Sequence, residues 1–322
     1  MKQPDFWNKR GGLLLLLMPA ALIWTFVGRL KRKLARPYTP SIPVLCVGNV
    51  NVGGTGKTPV SLSIGRMLLE KGLKVAYLSR GYGGSEVGPL QVDPEVHTSA
   101  EVGDEPLLLG RLAPTIVARD RVAGAKALEA LGAEVILMDD GLQNPSVTKT
   151  ASLMVVDGAV GFRNRKVMPA GPLREPLRDA LARVDAVVRI GPDISNSGRW
   201  LRDLPVFGAR FEPTASTLDL NGKAVLGFAG IGRPEKFAET LVEIGAKLVD
   251  FVAFDDHAPY TPEAMMALVE QAEAQDAVLV TTEKDLVRLP IEARAMVTPV
   301  PISLAWENQE AIEELLKTRL GF

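Results

Sequence analysis

Residues 44–59 read V-L-C-V-G-N-V-N-V-G-G-T-G-K-T-P. The apolar run from Val44 to Val47 is the signature of a short buried strand. Gly48, Gly53, Gly54 and Gly56 follow, then Lys57 and Thr58, and the run beyond Pro59 reads as a helix. Strand, glycine loop, Lys-Thr and helix are the parts of a phosphate-binding loop. In such a loop the segment Asn51, Val52, Gly53, Gly54, Thr55, Gly56 wraps phosphate oxygens with backbone N–H groups, and glycine avoids side-chain clash. The helix N-terminus adds partial positive charge. Lys57 reaches the outer phosphates, and the Thr58 hydroxyl suits Mg²⁺. The common pattern has glycine where Asn51 stands; asparagine tolerates left-handed backbone angles, so the expectation is a loop that survives the change on that ground.

Outward from the loop, Lys74–Ser79 reads as a second strand running into Arg80-Gly81-Tyr82-Gly83-Gly84. Polar glycine turns after strands are where α/β sheets place ligand contacts, so Arg80 and Tyr82 are candidates for phosphate or substrate, with a plain surface turn as the competing reading. Asp104 and Glu105 precede L-L-L-G-R-L, where acids at a helix start cap it and complement its dipole. Thr115–Ala118 reads as a strand ending in Arg119-Asp120-Arg121, whose arginines are candidate anion contacts. Glu134–Asp140 is the second strong signal: four apolar residues ending in Asp139 and Asp140. Paired acids at the carboxyl end of a buried strand, downstream of a phosphate loop, are the usual handle for Mg²⁺, a hard cation. Strands at Ser152–Asp157 and Arg183–Ile190 flank a long basic Pro- and Gly-rich loop that contains Arg174 and Glu175.

The character changes from about Gly191. Asn221-Gly222 is a hairpin signal between Phe207–Leu220 and Lys223–Phe228. Helical and strand patterns then alternate, Val300–Leu304 reads as a closing strand, and Asn308–Leu320 as a last amphipathic helix. The expected fold is α/β: a mostly parallel sheet of the P-loop NTPase kind flanked by helices, with a second, smaller α/β domain joined through a β-hairpin linker. The expected division is 1–36 for a membrane-associating helix, 37–205 for the nucleotide-binding domain, and 206–322 for a C-terminal domain contributing to the active-site cleft.

A net charge of −1 over 322 residues implies no broad nucleic-acid surface. The single cysteine, Cys46, excludes an intrachain disulfide framework and reads as a buried small apolar residue. Gly11 to Gly28 carries no charge, and Arg29, Lys31, Arg32, Lys33 and Arg36 follow. A basic cluster after the apolar run argues against a cleaved signal, and the run is short for a full span. It fits a helix lying in the cytoplasmic leaflet, with cations at anionic headgroups. Of the two histidines, His97 lies in a polar loop, and His257 follows Asp255-Asp256 at a strand end. A lone histidine is often structural, but beside a nucleotide site it suits proton handling.

The ordered set G-N-V-N-V-G-G-T-G-K-T-P, S-R-G-Y-G-G, G-D-E-P, D-D-G-L-Q, P-A-G-P-L-R-E-P, A-G-I-G-R-P-E-K-F and D-H-A-P-Y resembles the tetraacyldisaccharide 4′-kinase family of lipid A biosynthesis, over nearly the whole chain. The resemblance implies a kinase at the cytoplasmic side of the inner membrane. It would move the γ-phosphate of ATP to the 4′-hydroxyl of a tetraacylated glucosamine disaccharide 1-phosphate, giving lipid IV-A. It implies Asp104 as catalytic base with His257, Lys57 on the transferred phosphate, and Thr58, Asp139, Asp140 and Glu175 around Mg²⁺. Arg80, Tyr82, Arg119 and Arg174 would meet phosphate or substrate. A partitioning-type ATPase is the rival of a different class, but those proteins carry Lys before the two glycines, where Val52 stands here. A soluble P-loop small-molecule kinase or ligase is the other.

Overall fold

The computed structural model describes residues 4–7, 12–201, 203–255 and 258–322. Helix α1 (Gly12–Leu34) leads to β1 (Val44–Gly48), the glycine loop and α2 (Lys57–Glu70). Then come β2 (Val75–Ser79), β3 (Leu90–Gln91), α3 (Ser99–Val102), α4 (Asp104–Gly110), β4 (Thr115–Val117), α5 (Arg121–Ala130) and β5 (Val135–Asp139). They are followed by β6 (Ala151–Asp157), α6 (Leu177–Leu181), β7 (Ala186–Ile190) and β8 (Val206–Pro213). A second group comprises β9 (Ala224–Ala229), α7 (Pro234–Glu243), β10 (Lys247–Ala253), α8 (Pro262–Ala274), β11 (Val278–Thr282), α9 (Glu283–Leu286), α10 (Ile291–Arg294) and β12 (Thr298–Val300). The chain ends with β13 (Ile302–Trp306) and α11 (Gln309–Leu320).

The large sheet has the order β13-β8-β7-β6-β1-β5-β2-β4-β3. Its pairs are parallel except at the two edges, β13–β8 and β3–β4. The small sheet, β10-β9-β11-β12, is parallel throughout. The expected fold class, a mostly parallel sheet flanked by helices with a smaller α/β unit, is the observed one. β1, β2, β5 and β6 are buried along their full length, which is why they read as unbroken apolar runs. After β1 the chain crosses to one side of that strand, and β6 returns on the other. The carboxyl ends of β1, β5 and β6 therefore open on a switch point, where open α/β sheets bind ligands.

Helix α2 buries Val60, Ile64, Met67 and Leu68 against Leu45 and Val47 of β1. It lies so close that a Cβ on Gly65 would sit 1.9 Å from the Tyr77 hydroxyl, so only glycine fits there. Helix α11 drives Ile312, Leu316 and Leu320 into the same core. Each such side chain contributes about 1.5–3 kcal/mol when fully buried. Helix α1 packs Leu17, Met18 and Ala21 on the other face of the sheet. Its opposite stripe, including Leu15, Leu16, Leu22, Ile23 and Phe26, is exposed.

Three expectations need correction. Asn221-Gly222 does form a turn, with Gly222 at φ +76°, but β8 and β9 do not pair as a hairpin. β8 extends the large sheet beside β7, and β9 centres the small one, with the 3₁₀ turn Ala215–Leu220 between them. Val300–Leu304 is not one strand: the chain changes sheet at Pro301, with β12 in the small sheet and β13 in the large. A boundary at 205/206 therefore does not separate the two sheets, because β8, β13 and α11 belong with the large one. Alternating strand and helix patterns fix element type, but edge strands pair with whichever sheet offers an open ladder.

Candidate active site: a glycine loop facing paired aspartates

The loop after β1 turns into α2 through Gly56, at φ +83°, with no side chain capping the helix. A Cβ at Gly56 would meet Ile190 Cδ1 at 2.4 Å, so both backbone angle and space demand glycine. Asn49 Nδ2 donates to Thr55 Oγ1 at 2.8 Å and braces the loop across its width. Asn51 is not in a left-handed conformation, contrary to the reason anticipated for its tolerance. It sits in extended backbone bridged antiparallel to Leu173, and its Nδ2 donates to the Gly161 carbonyl at 2.7 Å. Around it, Val52 N donates to Pro172 O and Arg174 N to Val50 O. The Pro- and Gly-rich loop is thus laced to the phosphate loop, and this lacing aims Arg174.

Lys57 opens α2 and is buried; its Nζ lies 3.8 Å from Asp140 Oδ2. Arg174 Nη1 donates to both Asp140 oxygens, at 2.8 and 2.9 Å. Burial alone would raise the Asp140 pKa; Lys57 and Arg174 more than offset it and hold the carboxylate below its ordinary range. Asp139 lies in the opposite regime. It is 2% exposed, and its Oδ1 accepts from Ser61 Oγ at 2.7 Å. Its Oδ2 is buried with no hydrogen-bond partner among the described residues. Burial, then the charge of Glu105, push the Asp139 pKa up to about 7, with Lys57 pulling the other way. A buried carboxylate oxygen with an open lone pair, next in sequence to Asp140, is a donor suited to a hard divalent cation.

Asp104 begins α4 and is 5% exposed. Its Oδ1 accepts from Glu105 N at 3.0 Å, and its Oδ2 lies 3.4 Å from the Lys284 ammonium of α9. The helix cap itself is Gly103, without a side-chain bond, so simple capping does not account for this acid. His257 lies outside the described residues.

The other candidates divide. Arg80 and Arg121 share one electrostatic environment: burial, then Arg80, bring the Arg121 pKa down to about 10, against the pull of Asp140 and Asp139. Arg119 instead turns to the surface, donating to Gly84 O and Ser85 O, and braces the glycine turn. Tyr82 is largely exposed. Glu175 is 3% exposed and already neutralised: it pairs with Arg183, with Arg32 of α1 at 3.1 Å, and accepts from Gln143 Nε2 at 3.1 Å. Among the described residues no three His, Cys, Asp or Glu side chains form a ready metal cluster.

Sequence reasoning passed over Ser61, which lies one helical turn after Lys57 and so on its face. It also passed over Lys284, whose partner is in another unit, and Gln143, which links Asn49 O to Glu175. A second link from the small unit joins the rim, with Arg233 Nη1 3.1 Å and Lys236 Nζ 3.4 Å from Asp157 Oδ2 at the end of β6.

The description Tetraacyldisaccharide-1-P 4′-kinase matches residues 13–321, a span that holds the phosphate loop, the paired aspartates and Asp104. The chain belongs to that family. Tetraacyldisaccharide 4′-kinases of Rhodospirillum centenum and Paramagnetospirillum magneticum are 50% and 49% identical to it. These alignments cover 100% of this chain and 97% and 99% of those proteins. The solved LpxK of Aquifex aeolicus, in complex with ATP, superposes with a TM-score of 0.77 at 26% identity, over 96% of this chain and 99% of that one. The resemblance carried by the ordered motifs therefore holds.

Proposed function

We propose that this chain is an ATP-dependent lipid kinase. It transfers the γ-phosphate of ATP to the 4′-hydroxyl of tetraacyldisaccharide 1-phosphate, forming lipid IV-A in lipid A biosynthesis. The observation that carries this reading is the convergence of Lys57, Asp140 and Arg174 at the mouth of a glycine loop, within a chain of this family. Phosphoryl transfer demands positioning and charge neutralisation more than covalent chemistry. In this reading Lys57 holds the transferred phosphate, and the loop amides from Gly53 to Thr58 hold the others. Arg174, paired with Asp140, adds positive charge toward the phosphates, together with Arg80 and Arg121. Asp104 takes the proton of the attacking hydroxyl, assisted by His257.

Mg²⁺ fits Thr58, Asp139 and Asp140, given the open oxygen of Asp139, and when bound it would neutralise phosphate charge. Glu175 is better placed to seat α1 and Gln143 than to meet the metal, because Arg32, Arg183 and Gln143 occupy both its oxygens. Lys284 and Arg233 bring the second unit to the cleft.

The substrate sets the location. Each acyl methylene withdrawn from the bilayer costs about 0.8 kcal/mol, so the enzyme works at the membrane. Helix α1 supplies the contact. Its apolar part spans about 25 Å at 1.5 Å per residue, short of a hydrocarbon core of about 30 Å. Its exposed leucine stripe enters lipid while Trp24, Arg29 and Arg32 pin it to the protein through Arg174 O, Asp179 and Glu175. In this reading the catalytic body sits on the cytoplasmic face of the inner membrane, where ATP is available. The test is transfer of labelled γ-phosphate to tetraacyldisaccharide 1-phosphate in detergent. ATP hydrolysis without labelled lipid would return the chain to the ATPase class.

A further inference from the structure

Beyond the Lys57–Asp140 centre, a cavity of about 1600 Å³ opens between the N-terminal end of α1, helix α6 and the segments 159–166, 195–201 and 203–204. No residue of the glycine loop lines it, and neither do Asp104, Asp139, Asp140 or Arg174. A ligand held here is therefore not presented to the phosphoryl-transfer centre.

The walls of this cavity differ in chemistry. One is apolar, built from Leu14 and Leu15 of α1 with leucines of α6. Leu15 lines the cavity and is also 72% exposed, so this wall continues into the lipid-seeking stripe of α1. The loops supply cations, Arg165, Lys166 and Arg199, and α6 adds Arg178. Among the described residues none of these four pairs with a carboxylate, and the acid in the lining is Asp203. The Arg165 guanidinium stacks 3.8 Å over the Trp200 ring, and Arg199 lies 5.1 Å from it. Stacking uses the face of the guanidinium and leaves its N–H edge directed outward, the geometry that receives a phosphate oxygen. Tryptophan itself favours the level of lipid headgroups.

We propose that this cavity seats the phosphate headgroup and upper acyl segment of an anionic glycerophospholipid of the bilayer, a lipid that is not the kinase substrate. A soluble anion would match the cations but leave the leucine wall in water. A zwitterionic lipid would cover the leucines and leave the cations without net counter-charge. An anionic phospholipid satisfies both walls, and it fixes the rotation of the enzyme over the membrane about α1. The inference rests on the reading of α1 as a membrane contact.

Cosedimentation of the full chain with vesicles tests it. One set is phosphatidylcholine alone; the other mixes in phosphatidylglycerol. The wild type binds both sets through α1 and prefers the anionic one. The combined Arg165→Gln, Lys166→Gln, Arg199→Gln variant, with unchanged circular dichroism, loses roughly 10- to 100-fold of that preference and keeps its binding to phosphatidylcholine. Arg178→Gln alone, on a separate helix, loses a few-fold and serves if the combined variant does not fold. A retained anionic preference in both variants overturns the proposal. So does a raised KM for the disaccharide lipid in phospholipid-free micelles, which would make the cavity a substrate site. Failure of the wild type to bind either vesicle would instead sink the reading of α1.

Discussion

The Lys284 ammonium lies 3.4 Å from Asp104 Oδ2, joining α9 of the small unit to the first residue of α4 in the large one. The position of Lys284 is set by its own unit. The next residue, Asp285, is fully buried and accepts from Tyr260 Oη, Gly230 N, Thr282 Oγ1 and Arg288. Val287, one turn on, is buried with Val102 and Leu107 in a cluster of the large unit. The acid proposed as base is thus held by a side chain whose support comes from the opposite sheet.

Lys284→Met is expected to lower kcat 10- to 100-fold with KM for ATP and lipid changed less than about threefold, since a misplaced base costs turnover rather than binding. Lys284→Arg restores part of the loss. In an Asp104→Ala background, Lys284→Met should add little, because the two act through one group. Steady-state kinetics of the four proteins decide the matter. Full additivity of the two losses would show that Lys284 acts elsewhere.

The paired aspartates should separate by environment. Asp139→Asn keeps a partner for Ser61 but removes a buried anionic oxygen, and it should weaken Mg²⁺ dependence, raising the metal concentration for half-maximal rate at least tenfold. Asp140→Asn leaves Arg174 and Lys57 without their shared counter-charge. It should reduce kcat by about 100-fold or more, as losing a preorganised electrostatic group does. Metal titrations of both variants at saturating ATP make the comparison; an unchanged metal response in Asp139→Asn would argue against Asp139 as a ligand.

Much of this site is legible in the amino-acid sequence, for a physical reason. The loop from Gly48 to Thr58 and the pair Asp139-Asp140 are local in sequence, and each motif contains its own geometry: strand, turn, helix start. Arg174 is legible only as a cation in a loop; its placement comes from the ladder between residues 50–52 and 172–174, which no periodicity announces. Arg119 and Arg121 are two residues apart, and the pattern does not say which faces inward; Arg121 starts α5 and is buried, while Arg119 lies in the exposed bend after β4. Lys284 and Glu175 owe their roles to partners far along the chain, and so does the return of β13 to the large sheet. Pairwise contacts at long separation leave no spacing to read.

Packing at Gly65 gives a stability prediction. Gly65→Ala places a methyl 1.9 Å from Tyr77 Oη and 2.9 Å from Tyr77 Cζ, in a core where Tyr77 has no exposed surface. The expected cost is about 1–3 kcal/mol from overpacking, read as a lower midpoint in chemical denaturation. Tyr77→Phe alone loses the hydrogen bond to Ser61 O and should cost about 1 kcal/mol. The double variant should be more stable than the sum of the two losses, since the deeper clash is with the hydroxyl. Simple additivity would mean that α2 shifts away from β2 instead.

The anchoring of α1 tests how membrane contact reaches the active site. Arg32 joins α1 to Glu175 at 3.1 Å and to Asp179 at 3.2 Å, and Glu175 receives Gln143, which also holds Asn49 O beside the glycine loop. Arg32→Met keeps the apolar stem but leaves Glu175 with Arg183 and Gln143 alone. Because those partners remain and Arg32 is partly exposed, the expected loss is about 1–3 kcal/mol, below that of a fully orphaned buried charge. The kinetic consequence follows from the same chain of contacts: a freed α1 should raise KM for lipid several-fold while KM for ATP stays within about twofold. Vesicle binding should persist, since the leucine stripe is untouched. If KM for ATP rose as steeply as KM for lipid, the link from Glu175 through Gln143 to the glycine loop would be the dominant path, and Glu175 would belong to nucleotide binding rather than to the seating of the helix.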